Sequence, residues 1–593
     1  MHMKHISPDT VKKRGASVLV CIIFSLALFV SSGGCAPGLT GSSSAQVDFD
    51  KFTEELFCKE IAENLINLHF TVAHPKDMGI TDYEVTYGDI SKESIAECDA
   101  RLENYLAVLD TFSPKNLSTK QQITYDILKD YFNLQLSTTD YYLYDEILSP
   151  SSGLQANLPI LLEEYTFYEE KDVKDYLALL PQTKGYFEQV IAFEKEKAAA
   201  GLFMPDFSCQ SIIDQCNEFV AAADNHFLIE TFIKRLENVP GLSDSQKDTY
   251  IALNEKLVKE DLAAAYEYLG NEMTALLGSG KNDKGLCYFP EGKEYYETLV
   301  YYSTGSSDNI KDLQDEIAQA LSDDLLACYE LMEKNPDIWD ECVAASLTKK
   351  DASATLCELQ EDMLADFPKP PVTNYTVNYI DESIADFVAP AYYIVAPIDE
   401  YDSHSIYINK ETNTTDIYYF TTLAHEGFPG HLYQTVMTYE SGFPAVRSMM
   451  NYSGYTEGWA TYVEMMAYSY ADIDPDVATL LQKNQSATLS LYAATDIGIH
   501  YEGWDLDETK NFWSHYGIDD EEVIQNIYEY IVGEPANYLK YYVGYLEFME
   551  LREKAEETYG EAFDEIAFHN ALLSIGPAPF DIVEKYLNVY YAQ

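Results

Sequence analysis

From Phe52 to about Pro368 the apolar residues recur at helical spacing, segment after segment, with polar faces between them. The stretches 52–70, 91–111, 119–136, 181–199 and 308–333 each carry such a stripe. A stripe of this kind must be covered by another element, which drives the chain towards a mainly α fold of helix packed on helix. Pro114, Pro240-Gly241 and Pro336 fall between stripes as breaks, and Pro181 suits a first helical position. No repeat of fixed period is evident. The pattern changes at Phe367-Pro368-Lys369-Pro370-Pro371, after which 375–379, 391–395 and 405–408 lean towards strand. Helical spacing resumes near Thr421 and continues towards the C-terminus, as in 477–491 and 544–559. The expectation is one large helical architecture with a small β element at its centre. A division near residue 370 would separate an N-terminal helical lobe (49–370) from a C-terminal catalytic, metal-binding lobe (371–593).

The N-terminus speaks to location. Lys12, Lys13 and Arg14 precede an apolar run from Ala16 to Val30, and Ser31-Ser32-Gly33-Gly34-Cys35 follows. That order reads as a secretory signal over 1–34. The run has 15 residues, against the roughly 20 of a spanning helix; an uncleaved anchor is the alternative. A cysteine directly after small residues resembles the lipobox of bacterial lipoproteins, with Cys35 the lipidated residue, although Ser32 stands where that motif usually has Leu. Such a lipid would hold the protein at the outer face of the cytoplasmic membrane without a spanning segment. The Gly- and Ser-rich stretch 35–48 reads as a flexible tether.

The net charge is −61, and removal of a leader with four basic residues and one acidic residue takes it to −64. This excludes nucleic acid as a partner and leaves the lipid as the only expected tie to a membrane. Aromatic residues make up 13% of the chain, too many for the acidity to be that of a disordered segment. Beyond Cys21 and Cys35, eight cysteines lie between Cys58 and Cys357. An even number in an exported chain permits disulfides; Cys209 and Cys216 are close enough to pair, or are buried thiols. Cysteine is absent after Cys357, so a metal site in the C-terminal third would need other ligands.

Those ligands are suggested by His425-Glu426-Gly427-Phe428-Pro429-Gly430-His431. In the common zinc-hydrolase helix, two histidines at i and i+4 share a face and the glutamate between them acts as general base. Here Pro429 occupies i+4 and the next histidine is at i+6, which an unbroken helix would turn about 120° away. Pro429 cannot donate to the helix ladder, and Gly430 tolerates unusual backbone angles, so a kink could return His431 to His425. A third ligand is offered by Glu457 or Glu464, seven residues apart and thus on one helical face. Two carboxylates on an aromatic-rich face need a partner, and a metal or a histidine would supply it; a solvated acidic face is the bland alternative.

His425-Glu426-x-x-Pro429-Gly430-His431-x-x-Gln434, followed by Glu457-Gly458-Trp459-Ala460-x-Tyr462-x-Glu464, resembles the bacterial family known as domain of unknown function 885. Asp496-Ile497-Gly498-Ile499-His500-x-x-Gly503-Trp504 and Pro535-x-x-x-x-x-Tyr541-x-x-Gly544 agree with it, as does the opening Leu68-His69-Phe70-x-x-Ala73-x-Pro75 with Gly79-Ile80. The resemblance implies a zincin-like, gluzincin-type metallopeptidase with one Zn2+ on His425, His431 and Glu457 and with Glu426 as base. It further implies His500 or Tyr541 as the hydrogen-bond donor to a developing oxyanion, with Glu464 and Asp496 orienting the ligands. Leu432, Tyr492, Asn537 and Glu529 stand where the family often has His, Arg, Gln and Arg, departures that touch the substrate rim and leave the metal set intact. The expected activity is hydrolysis of peptides outside the cell. A non-catalytic lipoprotein that binds peptide or another solute, and a metal-dependent amidase or esterase, are the alternatives.

Overall fold

The computed structural model describes residues 43–345, 347, 351–380, 390–400, 403–410 and 416–591. Cys35, the expected leader over 1–34 and the tether as far as residue 42 lie outside these residues. The tether expected through residue 48 gives way sooner. Ser43 accepts the Gln46 N–H and donates its own N–H to the Gln46 side chain, a capping box that opens the helix Ser44–Ile61.

Helices dominate the fold. Lys92–Leu109, Thr119–Thr138, Thr183–Ala200 and Ile310–Lys334 lie close to the stripes that foretold them. The stripe over 52–70 is two helices, Ser44–Ile61 and Leu65–Thr71. Asn64 parts them because its backbone is extended and its side chain caps the second helix on the Asn67 N–H at 3.1 Å. No described helix is long and apolar enough to cross a membrane. The described cysteines are free thiols, with Cys209 and Cys216 both buried rather than bridged.

The three expected strands form one sheet. β1 (Tyr375–Tyr379), β2 (Ala391–Ile394) and β3 (His404–Ile408) are ordered β1-β3-β2. β1 runs parallel to β3, with Tyr375 opposite His404, and β2 runs antiparallel, with Tyr393 opposite Ile406. Buried and half-buried residues alternate along β3, so one face of the sheet enters the core. β2 stands at the edge, where one side of its backbone is unpaired within the sheet.

The main apolar core joins Phe49, Leu56 and Leu128 to Leu356, Ile406, Leu423, Trp459, Tyr542 and Leu587. The boundary expected near residue 370 therefore passes through shared packing. A second core, from Leu65 to Leu276, is built by N-terminal residues alone. Near the site, the helices Ser453–Ala467 and Asn537–Tyr559 touch backbone to backbone. A Cβ on Gly458 would lie 2.4 Å from the Gly544 carbonyl carbon, so only glycine fits at this crossing.

Candidate metal centre

The helix Asp416–Glu426 ends on His425 and Glu426, and the next helix, His431–Glu440, begins on the second histidine. Between them Pro429 has no N–H to give. The Gly430 N–H reaches back to Ala424 O at 2.9 Å, and the Tyr433 N–H to Gly427 O at 3.1 Å. A Cβ on Gly430 would fall 1.7 Å from the His425 carbonyl oxygen, so the chain folds tightly onto the helix end. Phe428 is buried in the core and the Trp459 indole donates to Pro429 O at 2.9 Å, which pins the turn. The expected kink is thus a full break. It sets the two imidazole rings 4.8 Å apart at an interplanar angle of 84°.

Glu457, on the helix Ser453–Ala467, completes the cluster. Its Oε2 lies 3.7 Å from His425 Nε2 and 3.5 Å from His431 Nε2. Donor atoms of the three residues all fall within 4.8 Å of one another. Two imidazole nitrogens and a carboxylate oxygen are a donor set that suits zinc. Glu464, two turns along the same helix, places Oε2 3.1 Å from His425 Nδ1 and so orients that ring. Burial alone would lower the His425 pKa, but its bonds to Glu457 and Glu464 and the nearby Glu426 charge outweigh this and hold it well above the usual value. Burial alone would raise Glu457, yet contact with His425 and His431, and the charge of Lys540, hold it below the carboxylate range. The opposed directions have one cause, the mutual contact of buried imidazole and carboxylate groups.

Glu426 is buried beside the cluster, and its Oε2 accepts the Tyr393 N–H at 3.0 Å. That donor comes from the edge strand β2, whose outward N–H the sheet leaves unused. Burial pushes the Glu426 pKa up, while the charges of His425 and His431 act against the rise. A cavity of about 1220 Å³ reaches the cluster at Glu457, with Tyr393, Gln434, Lys540 and Tyr541 also among its lining residues. Tyr541 therefore sits on the same cavity wall as the carboxylate ligand candidate.

His500 and Asp496 are placed otherwise than their motif implied. Both ring nitrogens of His500 are engaged by backbone: Nδ1 accepts the Leu286 N–H at 3.2 Å and Nε2 donates to Ile531 O at 2.8 Å. Burial takes its pKa down to about 4, so the ring is neutral, and although it lines the cavity both its nitrogens are held by backbone. Asp496 touches none of the metal-site residues. Its Oδ1 accepts the Tyr296 hydroxyl at 2.6 Å and the Ala536 N–H at 3.1 Å. Ala536 has φ 62, a left-handed turn that heads the helix Asn537–Tyr559, so Asp496 secures the helix bearing Lys540 and Tyr541.

Residues 75–587 match the family described as "Bacterial protein of unknown function (DUF885)". The chain belongs to the DUF885 family. The match takes in the histidine–glutamate stretch, the Glu457 helix and the Asp496 and Pro535 motifs together. No curated protein matches the sequence. Among solved structures, a candidate lipoprotein from Colwellia psychrerythraea superposes with a TM-score of 0.79 at 18% identity, over 93% of this chain and 99% of that one. A candidate lipoprotein of unknown function from Shewanella oneidensis gives a TM-score of 0.60 at 16% identity, over 91% and 98%. At these identities the likeness is one of fold. In this DUF885 chain, sequence reasoning missed the Tyr393 N–H because a backbone donor leaves no mark on residue type. It also passed over Lys540, which nothing in the sequence separates from other lysines on polar helix faces.

Proposed function

We propose that this chain is a zinc-dependent hydrolase, metallopeptidase in type, held by an N-terminal lipid at the outer face of the cytoplasmic membrane. On this reading the fold is a helical zincin-like architecture, with the histidine pair on a broken helix and the glutamate ligand on the following one. His425, His431 and Glu457 would hold the ion, which when bound supplies a Lewis acid and lowers the pKa of water towards ~7. Glu464 keeps the His425 ring oriented with Nε2 towards Glu457. Glu426 takes a proton from the attacking water and returns it to the leaving amine. The C–N bond breaks, hydroxyl stays on the acyl carbon and the proton leaves with nitrogen. Tyr541 is the remaining candidate donor to the oxyanion, because His500 is committed to backbone. The lipid anchor rests on the Cys35 sequence and on the lipoprotein designation of the two structural neighbours.

The observation that carries the proposal is Glu426 itself. A binding protein has no need of a buried carboxylate, raised in pKa and held by Tyr393, beside a two-histidine, one-glutamate donor set. The test is metal content by plasma mass spectrometry together with hydrolysis of a fluorogenic peptide library. Glu426→Gln should retain zinc and lose hydrolysis by roughly 10²–10⁴-fold. His425→Ala and His431→Ala should lose both. Stoichiometric zinc in both histidine variants, or undiminished hydrolysis in Glu426→Gln, would sink the reading.

A further inference from the structure

The cavity beside Glu457 has an imbalance of partners. Its carboxylates are largely occupied by donors of the protein. Glu60 is taken by Arg101 and Tyr105, Asp99 by Thr139, and Glu146 by Lys197. Glu164 receives Tyr392 and Tyr407, Asp399 receives the N–H groups of Ala73 and His74, and Glu534 receives Ser149, Ser151 and Ser152. Besides the Thr438 hydroxyl, two donors on the same walls are not occupied. Gln434 is only 4% exposed, yet its side-chain Nε2 has no hydrogen-bond partner among the described residues. Lys540 makes no ion pair or hydrogen bond among the described residues, and its Nζ lies 5.2 Å from the centroid of the Tyr541 ring.

Both donors stand close to the candidate metal residues. Gln434 follows His431 by three positions on the helix His431–Glu440, hence on the same face. The Lys540 charge acts on Glu457 across the cavity. A buried amide without an acceptor is costly. An ammonium on the wall of the same cavity, bonded to none of its carboxylates, can take an anion brought from outside. An amide donor and an ammonium together complement a carboxylate.

Resting on the metallopeptidase reading, we propose that Gln434 and Lys540 receive the free α-carboxylate of a peptide substrate, so that cleavage falls near the peptide's C-terminus. The neutral amide gives direction and the ammonium gives charge. A peptide blocked as a C-terminal amide would offer Lys540 no direct ion pair, and its binding would suffer accordingly. Lys540 is thus a specificity-determining residue, and its role does not depend on proton transfer.

The experiment is equilibrium binding of N-acetylated tetrapeptides of mixed sequence, supplied as free acids or as C-terminal amides. The purified protein carries Glu426→Gln so that the probe is not consumed, and circular dichroism verifies folding of each further variant. Free acids should bind at least about tenfold tighter than amides. Lys540→Gln should erase that preference, Gln434→Leu should diminish it, and Lys540→Arg should retain most of it. Equal affinity for acids and amides, no binding of either, or a preference that survives Lys540→Gln would overturn the proposal. Amides bearing an acidic side chain that bind as well as free acids would move the carboxylate to a side chain and overturn the C-terminal assignment. The two readings fail separately. A carboxylate preference in a protein whose unsubstituted form hydrolyses nothing would remove the hydrolase and leave the pocket, while hydrolysis without that preference would do the reverse.

Discussion

Glu464 Oε2 sits 3.1 Å from His425 Nδ1, and that contact decides which nitrogen of the ring can face Glu457. Glu464→Ala should therefore weaken zinc affinity about 10–100-fold without removing a ligand. Competition with a chromogenic chelator measures it, and an unchanged affinity would show that the ring is oriented by other means. The glutamate pair was legible in the sequence because seven residues make two helical turns, so Glu457 and Glu464 had to share a face. Asp496, expected to orient the ligands, and His500, expected as an oxyanion donor, are instead engaged elsewhere. Position on one helix does not say which wall that helix presents. Asp496 serves the Ala536 turn and His500 the Leu286 and Ile531 backbones.

Among helices and strands, the site depends on two places where backbone meets backbone. The break between His425 and His431 could be anticipated from Pro429-Gly430, because proline lacks a donor and glycine tolerates the close return to His425 O. The crossing of Ser453–Ala467 with Asn537–Tyr559 could not, since nothing local tells one helical glycine that another will face it. Gly458→Ala should cost about 1–3 kcal/mol by forcing these helices apart, and it should loosen Glu457 against Lys540. Gly185, in the helix Thr183–Ala200, faces open space, and a methyl group added there would meet no atom within 4 Å. Gly185→Ala should instead stabilise by up to about 1 kcal/mol. Urea unfolding of both variants tests the contrast, and equal shifts would mean that the crossing is more plastic than its geometry implies. Strand placement was legible from the residues after Pro371, but the use of the β2 edge by Glu426 was not, because it needs the tertiary position of Tyr393.

For the molecule as a whole, burial pushes several carboxyl groups up, with Asp496, Glu316 and Glu547 each reaching about 7. A carboxyl raised in the folded state contributes stability that is complete below its unfolded pKa near ~4 and is lost as pH rises through the folded value. Buried histidines act oppositely: His69 and His569 are lowered to about 3, and His226 and His500 to about 4. Their contribution is complete above ~6.5 and drains away as pH falls below it. Between pH 8.5 and 6.5 those lowered histidines are silent, while the raised carboxyl groups, His425 and the buried thiols, all raised in the folded state, each lose stability as pH rises. The calorimetric unfolding midpoint of metal-free protein should accordingly rise across that interval and flatten below it; a midpoint that falls from pH 8.5 to 6.5 would contradict the burial of these acids. The mainly helical character was legible at this scale because each stripe demands a cover. The division at residue 370 was not, because a stripe does not name its partner. The cover for Leu56 and Leu128 comes from beyond Leu423.

That shared core sets an order of events during synthesis. Asp126, on Thr119–Thr138, accepts hydrogen bonds from Lys585 and Tyr586 at 2.6 Å, and Phe49 and Leu587 belong to one apolar cluster. A ribosome adding roughly 5–20 residues per second needs on the order of tens of seconds to travel from the first of these helices to the last. Throughout that interval the early residues of the main core, such as Leu56 and Leu128, lack their final cover, while the second core from Leu65 to Leu276 can already close. The core that packs around Trp459 is therefore complete only when the final helix arrives, so the candidate metal centre is the last part of the molecule to be built.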